Sequence, residues 1–188
     1  MPMPPPPDLA GLSLAEIVRM AEERRLPPIE QWNPAHCGHS AMRIARDGTW
    51  FHEGSPIGRT EMVRLFSTIL RREPDGRFVL VTPVEKLDID VEDAPFQAVE
   101  VKSDGAGEAR NLAFRLNTGD VVVANAERPL RIDTQADGPH PYLRVRGGLD
   151  ARVARAVYYE LAEMALAEGH QPAGLWSGGA FFALEPAA

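Results

Sequence analysis

Hydrophobic and polar positions along this chain follow two different periods, and the changes of period mark its elements. Leu14, Ile17, Val18 and Ala21 recur at helical spacing behind Ser13 and Glu16, which form a capping box, and Pro27-Pro28 ends the run. This predicts a helix over 14–25 that lies on the body of the protein through its one apolar stripe, behind an extended, Pro-rich tail over 1–8. Residues 29–41 follow neither period and read as a structured loop. Met42–Ala45 and Thr49–His52 flank Asp47-Gly48, a pair suited to a type I′ hairpin turn because glycine tolerates positive φ. Across Arg59–Arg72, the residues Met62, Val63, Phe66, Ile69 and Leu70 form one helical stripe. Pro74-Asp75-Gly76 then turns the chain into a central strand over Arg77–Thr82, which Pro83 limits.

Leu87–Glu92 alternates apolar and acidic residues, so a strand there puts Leu87, Ile89 and Val91 on one face and a row of carboxylates on the other. Phe96–Lys102 reads as a strand, and Asn117–Asp120 separates Leu112–Leu116 from Val121–Ala124 as a looser copy of the first hairpin. Residues 133–148 are rich in Gly and Pro and read as loop, with a short strand over Tyr142–Val145. Asp150 is placed to cap a helix to about Glu168, which Gly169 stops, and a hairpin around Ser177-Gly178-Gly179 closes the chain. The order hairpin, helix, strand thus occurs twice. It predicts an α+β fold with a tail and helix over 1–29 and two units over 30–84 and 85–188, each an antiparallel sheet with one packed helix. Two similar halves that meet face to face leave a cleft, the usual place for a small ligand.

The formal charge of −7 and the absence of a Lys/Arg block exclude a nucleic acid polymer as the main partner, because phosphate binding needs a concentrated basic face. Of the 20 basic residues only Lys86 and Lys102 are lysines, which leaves 18 arginines. No apolar run approaches the roughly 18–20 residues that cross a bilayer, and no basic segment leads into an apolar one, so a cytoplasmic protein without a membrane role is expected. The single cysteine, Cys37, fits a reducing compartment.

Trp32-Asn33-Pro34, His36-Cys37-Gly38, Met42-Arg43-Ile44, Asp47-Gly48-Thr49-Trp50, the Gly54–Arg59 segment, Leu65-Phe66-Ser67 and Leu80–Lys86 occur in an order that resembles the bacterial domain of unknown function 1285 family. The resemblance covers most of residues 32–96 and extends more weakly to the C-terminus. It implies a duplicated core, a C-terminal half like a pleckstrin-homology barrel, and a small-molecule site where the halves meet. Nucleotide-type ligands and a signalling role are associated with the family, which supplies no catalytic residues.

Gly54–Arg59 delivers the chain to a helix N-terminus, where free N–H groups and Arg59 could hold a phosphate, although the lysine and glycine spacing of a phosphate-binding loop are missing. Thr82, Glu85 and Lys86 end a central strand at the hand-over between halves, where an acid and an amine could read a ribose hydroxyl and a phosphate. Trp50 and His52 share a strand face on which a base could stack, and Arg43 lies on the neighbouring strand. Arg43, Trp50, His52, Arg59, Thr82, Glu85 and Lys86 are therefore the expected ligand contacts. His36, Cys37, His39 and His52 are the residues with metal-binding or hydrolytic chemistry, but their spacing lacks two paired clusters and no metal is expected. The cofactor stays undefined. The expected function is a non-catalytic ligand-binding or sensor protein, with a protein-interaction module and a His/Cys-based hydrolase as alternatives.

Overall fold

The computed structural model describes residues 26–185. The expected N-terminal tail and the helix over 14–25 lie outside the described residues. Strands β1 (His36–Ile44), β2 (Trp50–His52), β3 (Ser55–Pro56), β4 (Leu70–Arg72), β5 (Phe78–Val81) and β6 (Glu85–Val91) form one sheet, with helix α1 (Thr60–Thr68) between β3 and β4. Strands β7 (Phe96–Asp104), β8 (Asn111–Leu116), β9 (Val121–Val123), β10 (Leu130–Gln135), β11 (Gly138–Arg146) and β12 (Leu149–Val153) form a second. Helix α2 (Arg155–Glu168) and a separate hairpin of β13 (Gly174–Ser177) with β14 (Ala180–Ala183) follow.

Both sheets have the same order, β3-β2-β1-β6-β5-β4 and β9-β8-β7-β12-β11-β10. In each, two three-stranded antiparallel meanders join through one parallel pair, β1 with β6 and β7 with β12. The fold is thus α+β and built from a duplicated unit, but its symmetry differs from the expected one in two respects. Helix α1 links the two meanders of the first sheet, whereas α2 follows the last strand of the second, so the helices are not counterparts. The look-alike hairpins of the sequence, β1–β2 and β8–β9, are also out of step, because strand order makes β7–β8 the counterpart of β1–β2. Their likeness lies in the turn: Gly48 N donates to Ala45 O at 2.9 Å and Gly119 N to Leu116 O at 2.8 Å, and the same bond, Gly76 N to Glu73 O at 2.9 Å, closes β4–β5.

Tertiary pairing overrides local period in several places. Strand β6 pairs with β1 on one side and β5 on the other, so the first unit extends through Val91 and the boundary expected after residue 84 moves to 92–95. Part of the expected 29–41 loop is the first half of β1, whose register shifts between His39 and Arg43, where Ala41 has φ 59°. Helix α1 stops at Thr68, and Leu70–Arg72, read as its last turn, pairs with β5 instead. Asp47-Gly48 is not a type I′ turn, because only Gly48 has positive φ; that geometry is found at Glu53-Gly54, with φ 49° and 80°, between the paired His52 and Ser55.

The expected loop over 133–148 is the β10–β11 hairpin. Pro139 and Pro141 are tolerated there because β12 starts pairing with β11 only at Tyr142, so no ladder on that side needs their missing N–H. Asp150 lies within β12 rather than capping a helix, and α2 begins after Ala154 with no side-chain cap. Its stop is as expected, with Gly169 left-handed at φ 70°. Residues of both sheets belong to one continuous apolar core, including Ile44, Trp50 and Leu70 from the first and Phe96, Phe114 and Leu149 from the second. The halves also exchange polar contacts, with Gln97 Nε2 donating to Arg46 O at 2.9 Å.

Candidate functional site

Two chambers open along the junction of the halves, and Arg72 of β4 lines both. The smaller, of about 220 Å³, is walled by Phe78, the Asp93-Ala94-Pro95 connection, and polar side chains of β10–β12. Its charges are consumed locally. Asp150 accepts from Arg144 Nε at 2.6 Å and pairs with Arg131 Nη1 at 3.0 Å, while Arg131 also bonds Asp133. Burial opposes the charge on Arg131, but Asp150 and Asp133 outweigh it and raise its pKa above the ordinary arginine value. Asp93 accepts from Tyr142 Oη at 2.6 Å and Arg152 Nη1 at 3.1 Å, which ties the connection to the second sheet. Burial first, and then the bond to Asp93, push the Tyr142 phenol above its usual range, so it stays a donor. The guanidiniums of Arg131 and Arg152 lie 4.9 and 5.3 Å from the Tyr142 ring centre, and that of Arg72 lies 5.4 Å from the Phe78 ring centre.

The larger chamber, of about 480 Å³, is mostly apolar, with aliphatic walls from Leu26, Pro27, Pro28, Ile29, Leu70 and Leu149. The β11–β12 turn passes over it with Gly147 and Gly148 at φ 49° and 79°, the type I′ pair that a two-residue hairpin needs. Arg71, Arg72 and Arg146 bring positive charge to this chamber, against one lining carboxylate, the exposed Glu30. Arg71 is buried and fully engaged: Nη1 donates to Ile29 O and Trp32 O at 2.7 and 2.8 Å, and Nη2 to Glu73 Oε1 at 2.7 Å. Arg72 and Arg146 differ from it. Arg72 makes one long bond, 3.4 Å to Gly148 O. Arg146 donates from Nη2 to Ser67 O in the last turn of α1 at 2.6 Å and lies over the buried Phe96 ring. Neither has a carboxylate ion-pair partner among the described residues. Burial lowers the Arg146 pKa, and the Coulombic pull of Glu30 only partly offsets this.

The seven ligand contacts expected from sequence line neither chamber. Arg43 pairs with Glu92 and lies over Phe51. Trp50 is buried and stacks on Phe66 with ring centres 6.4 Å apart, its Nε1 without a partner. His52 is exposed at the end of β2, and Arg59 is the exposed residue before α1. The Thr82 hydroxyl accepts from Glu85 N at 3.2 Å, Glu85 lies 4.0 Å from His36 Nε2, and Lys86 lies 3.7 Å from Glu73. His39 lies 3.5 Å from Asp90, and Cys37 is exposed. Among the described residues no three His, Cys, Asp or Glu side chains gather as a metal-binding set. The acidic row from Asp88 to Glu92 is engaged, with ion pairs of Arg77 on Asp88 and Arg43 on Glu92 and with His39 Nε2 3.5 Å from Asp90. Sequence reasoning missed Arg72 and Arg146. The one available signal was Arg146 directly before Gly147-Gly148, a pair that demands a tight turn.

Residues 27–94 match the domain described as "Domain of unknown function (DUF1285), N-terminal domain", and residues 95–184 match "Protein of unknown function (DUF1285), C-terminal domain". The division falls in the Asp93-Ala94-Pro95 connection. A DUF1285 family protein from Silicibacter pomeroyi DSS-3 has a crystal structure similar to this one, with 44% identity, a TM-score of 0.79, and coverage of 89% of this chain and 93% of that chain. Another, from Shewanella baltica OS155, is 25% identical with a TM-score of 0.52, over 66% of this chain and 92% of that chain. No curated protein matches. Matched by both domains of the family over its two sheets, and 44% identical to a relative along nearly all of its described length, the chain belongs to the DUF1285 family.

Proposed function

We propose that this is a non-catalytic ligand-binding or sensor protein of the cytoplasm, which takes an anionic small molecule, a nucleotide-type ligand among the classes, at the junction of its two halves and passes its occupancy on as a signal. The observation that carries this reading is the pair of guanidiniums, Arg72 from the first sheet and Arg146 from the second, that meet the same 480 Å³ chamber without carboxylate partners among the described residues. That volume lies within the range of about 300–1,000 Å³ typical of small-molecule sites, and the 220 Å³ chamber lies below it. A ligand bridging the two sheets would favour one relative placement of the halves, which is what a sensor needs. In the same reading the second sheet is a distant variant of the pleckstrin-homology barrel. Its two edge strands, β9 and β10, are consecutive in the chain and linked by a turn that reciprocal backbone bonds between Asn125 and Arg128 close at 3.1 and 3.2 Å, and α2 follows the last strand.

The test is a thermal-shift screen of the full chain against nucleotides, nucleotide second messengers, simple phosphates and organic acids, with a chelator control. A ligand at 100 times its Kd stabilises by about 2.7 kcal/mol, a rise of several degrees. The expected result is at least one anionic hit that Arg72→Glu abolishes. Silence across the panel overturns the reading in favour of an interaction module, for which Tyr159 and Leu166, exposed and seven residues apart on α2, are the supporting observation.

A further inference from the structure

The larger chamber presents an aliphatic wall and two arginines whose donors are largely unspent, and these two features select the same kind of molecule. We propose that it binds an amphipathic acid, a carboxylate or phosphate head on an aliphatic body, with the head between Arg146 and Arg72 and the body against Ile29, Leu70 and Leu149. The proposal rests on the ligand-binding reading above and narrows its ligand class.

Three observations support it. First, a guanidinium carries five donors, and among the described residues Arg146 spends one, on Ser67 O, with its Cζ 5.5 Å from the Phe96 ring centre. The remaining edge suits the forked contact that a carboxylate or phosphate makes. Burial disfavours the charged form of Arg146, and Glu30, exposed on the same chamber, offsets this only in part, so the cation gains from an anion entering beside it. Second, Arg72 reaches the same space from the other sheet through an exposed side chain whose contacts among the described residues are one 3.4 Å bond to Gly148 O and the Phe78 ring 5.4 Å from its guanidinium, so most of its donors are open to a head group. Third, among the described residues the lining of this chamber has no aromatic ring for a base to stack on. The rings nearby, Phe78 and Tyr142, face the smaller chamber and are already covered by guanidiniums. An aliphatic body therefore fits better than a nucleobase.

The experiment is isothermal titration calorimetry of the full chain, below the micelle threshold of each probe, with decanoate, decyl phosphate, decanol and AMP. Decanoate or decyl phosphate is expected to bind at least tenfold more tightly than decanol, and comparing the two acids decides between a carboxylate and a phosphate head. Arg72→Met, an exposed change that leaves folding intact, is expected to weaken the acid at least tenfold and leave decanol unchanged. Arg146→Met is expected to do the same if its melting profile shows that α1 is still anchored; Arg72→Met carries the test without it. Decanol binding as tightly as the acids, or Arg72→Met without effect, overturns the proposal. Binding of AMP with silence from both acids overturns it while sparing the broader ligand-binding reading, and silence from all four probes counts against both.

Discussion

The two chambers at the junction share Arg72 and little else. In the smaller one each carboxylate meets an arginine: Asp150 holds Arg131 and Arg144, Asp133 holds Arg131, and Asp93 holds Arg152 together with the Tyr142 hydroxyl. In the larger one the walls are mostly aliphatic, and among the described residues two guanidiniums have no carboxylate ion-pair partner, with Glu30 the one carboxylate in the lining. The contrast separates charge that fastens the second sheet and the connection to it from charge that is available. A closed set of ion pairs holds a connection in register, whereas an unpaired cation beside an apolar wall has binding capacity left over.

The sharpest way to break this contrast is to damage each side and compare stability with binding. Leu149→Ala removes a side chain only 1% exposed from the wall of the larger chamber and is expected to cost about 3 kcal/mol in chemical denaturation. Asp150→Ala leaves Arg131 and Arg144 without their shared acceptor and is expected to cost about 2 kcal/mol, with the affinity of the larger chamber nearly unchanged. Tyr142→Phe is expected to cost about 1 kcal/mol at neutral pH. Because folding raises the Tyr142 pKa, the phenol's contribution is complete below its unfolded-state value and is lost as pH climbs through the raised one. The melting difference between wild type and Tyr142→Phe should therefore narrow at strongly alkaline pH; a constant gap would remove the Asp93 bond from the account. Arg72→Met should have the smallest effect on stability, within about 0.5 kcal/mol. A loss as large as that of Asp150→Ala would place Arg72 among the fasteners and erase the distinction.

Local features of the fold were legible because their causes are local. The Asp47-Gly48, Asp75-Gly76 and Thr118-Gly119 turns, the alternation of β6, the Gly169 stop and the terminal hairpin are each written in a few adjacent residues. The two parallel pairs were not legible, because β1–β6 and β7–β12 join segments distant in sequence and a strand's own period does not name its partner. Leu70–Arg72 shows the conflict most clearly: its spacing continues α1, but antiparallel pairing with β5 over all three residues wins and makes it the edge strand of the sheet. The site was less legible than the fold. Thr82, Glu85 and Lys86 mark a site only if a boundary follows residue 84, and the pairing of β6 with β1 and β5 puts them inside the first unit instead. The spacing puts Arg72 at the end of a helical segment and Arg146 in a Gly- and Pro-rich loop.

Hydrogen exchange of the full chain, measured by mass spectrometry with and without saturating decanoate, tests the central claim most directly, since it reports where a ligand acts rather than only whether one binds. The account predicts slowed exchange confined to β4 and to the Arg146–Leu149 turn, the elements of the two sheets that face the larger chamber. Protection centred instead on Gly54–Arg59 and Thr82–Lys86, with β4 and the turn unchanged, would contradict it and return the site to the residues that the sequence first singled out.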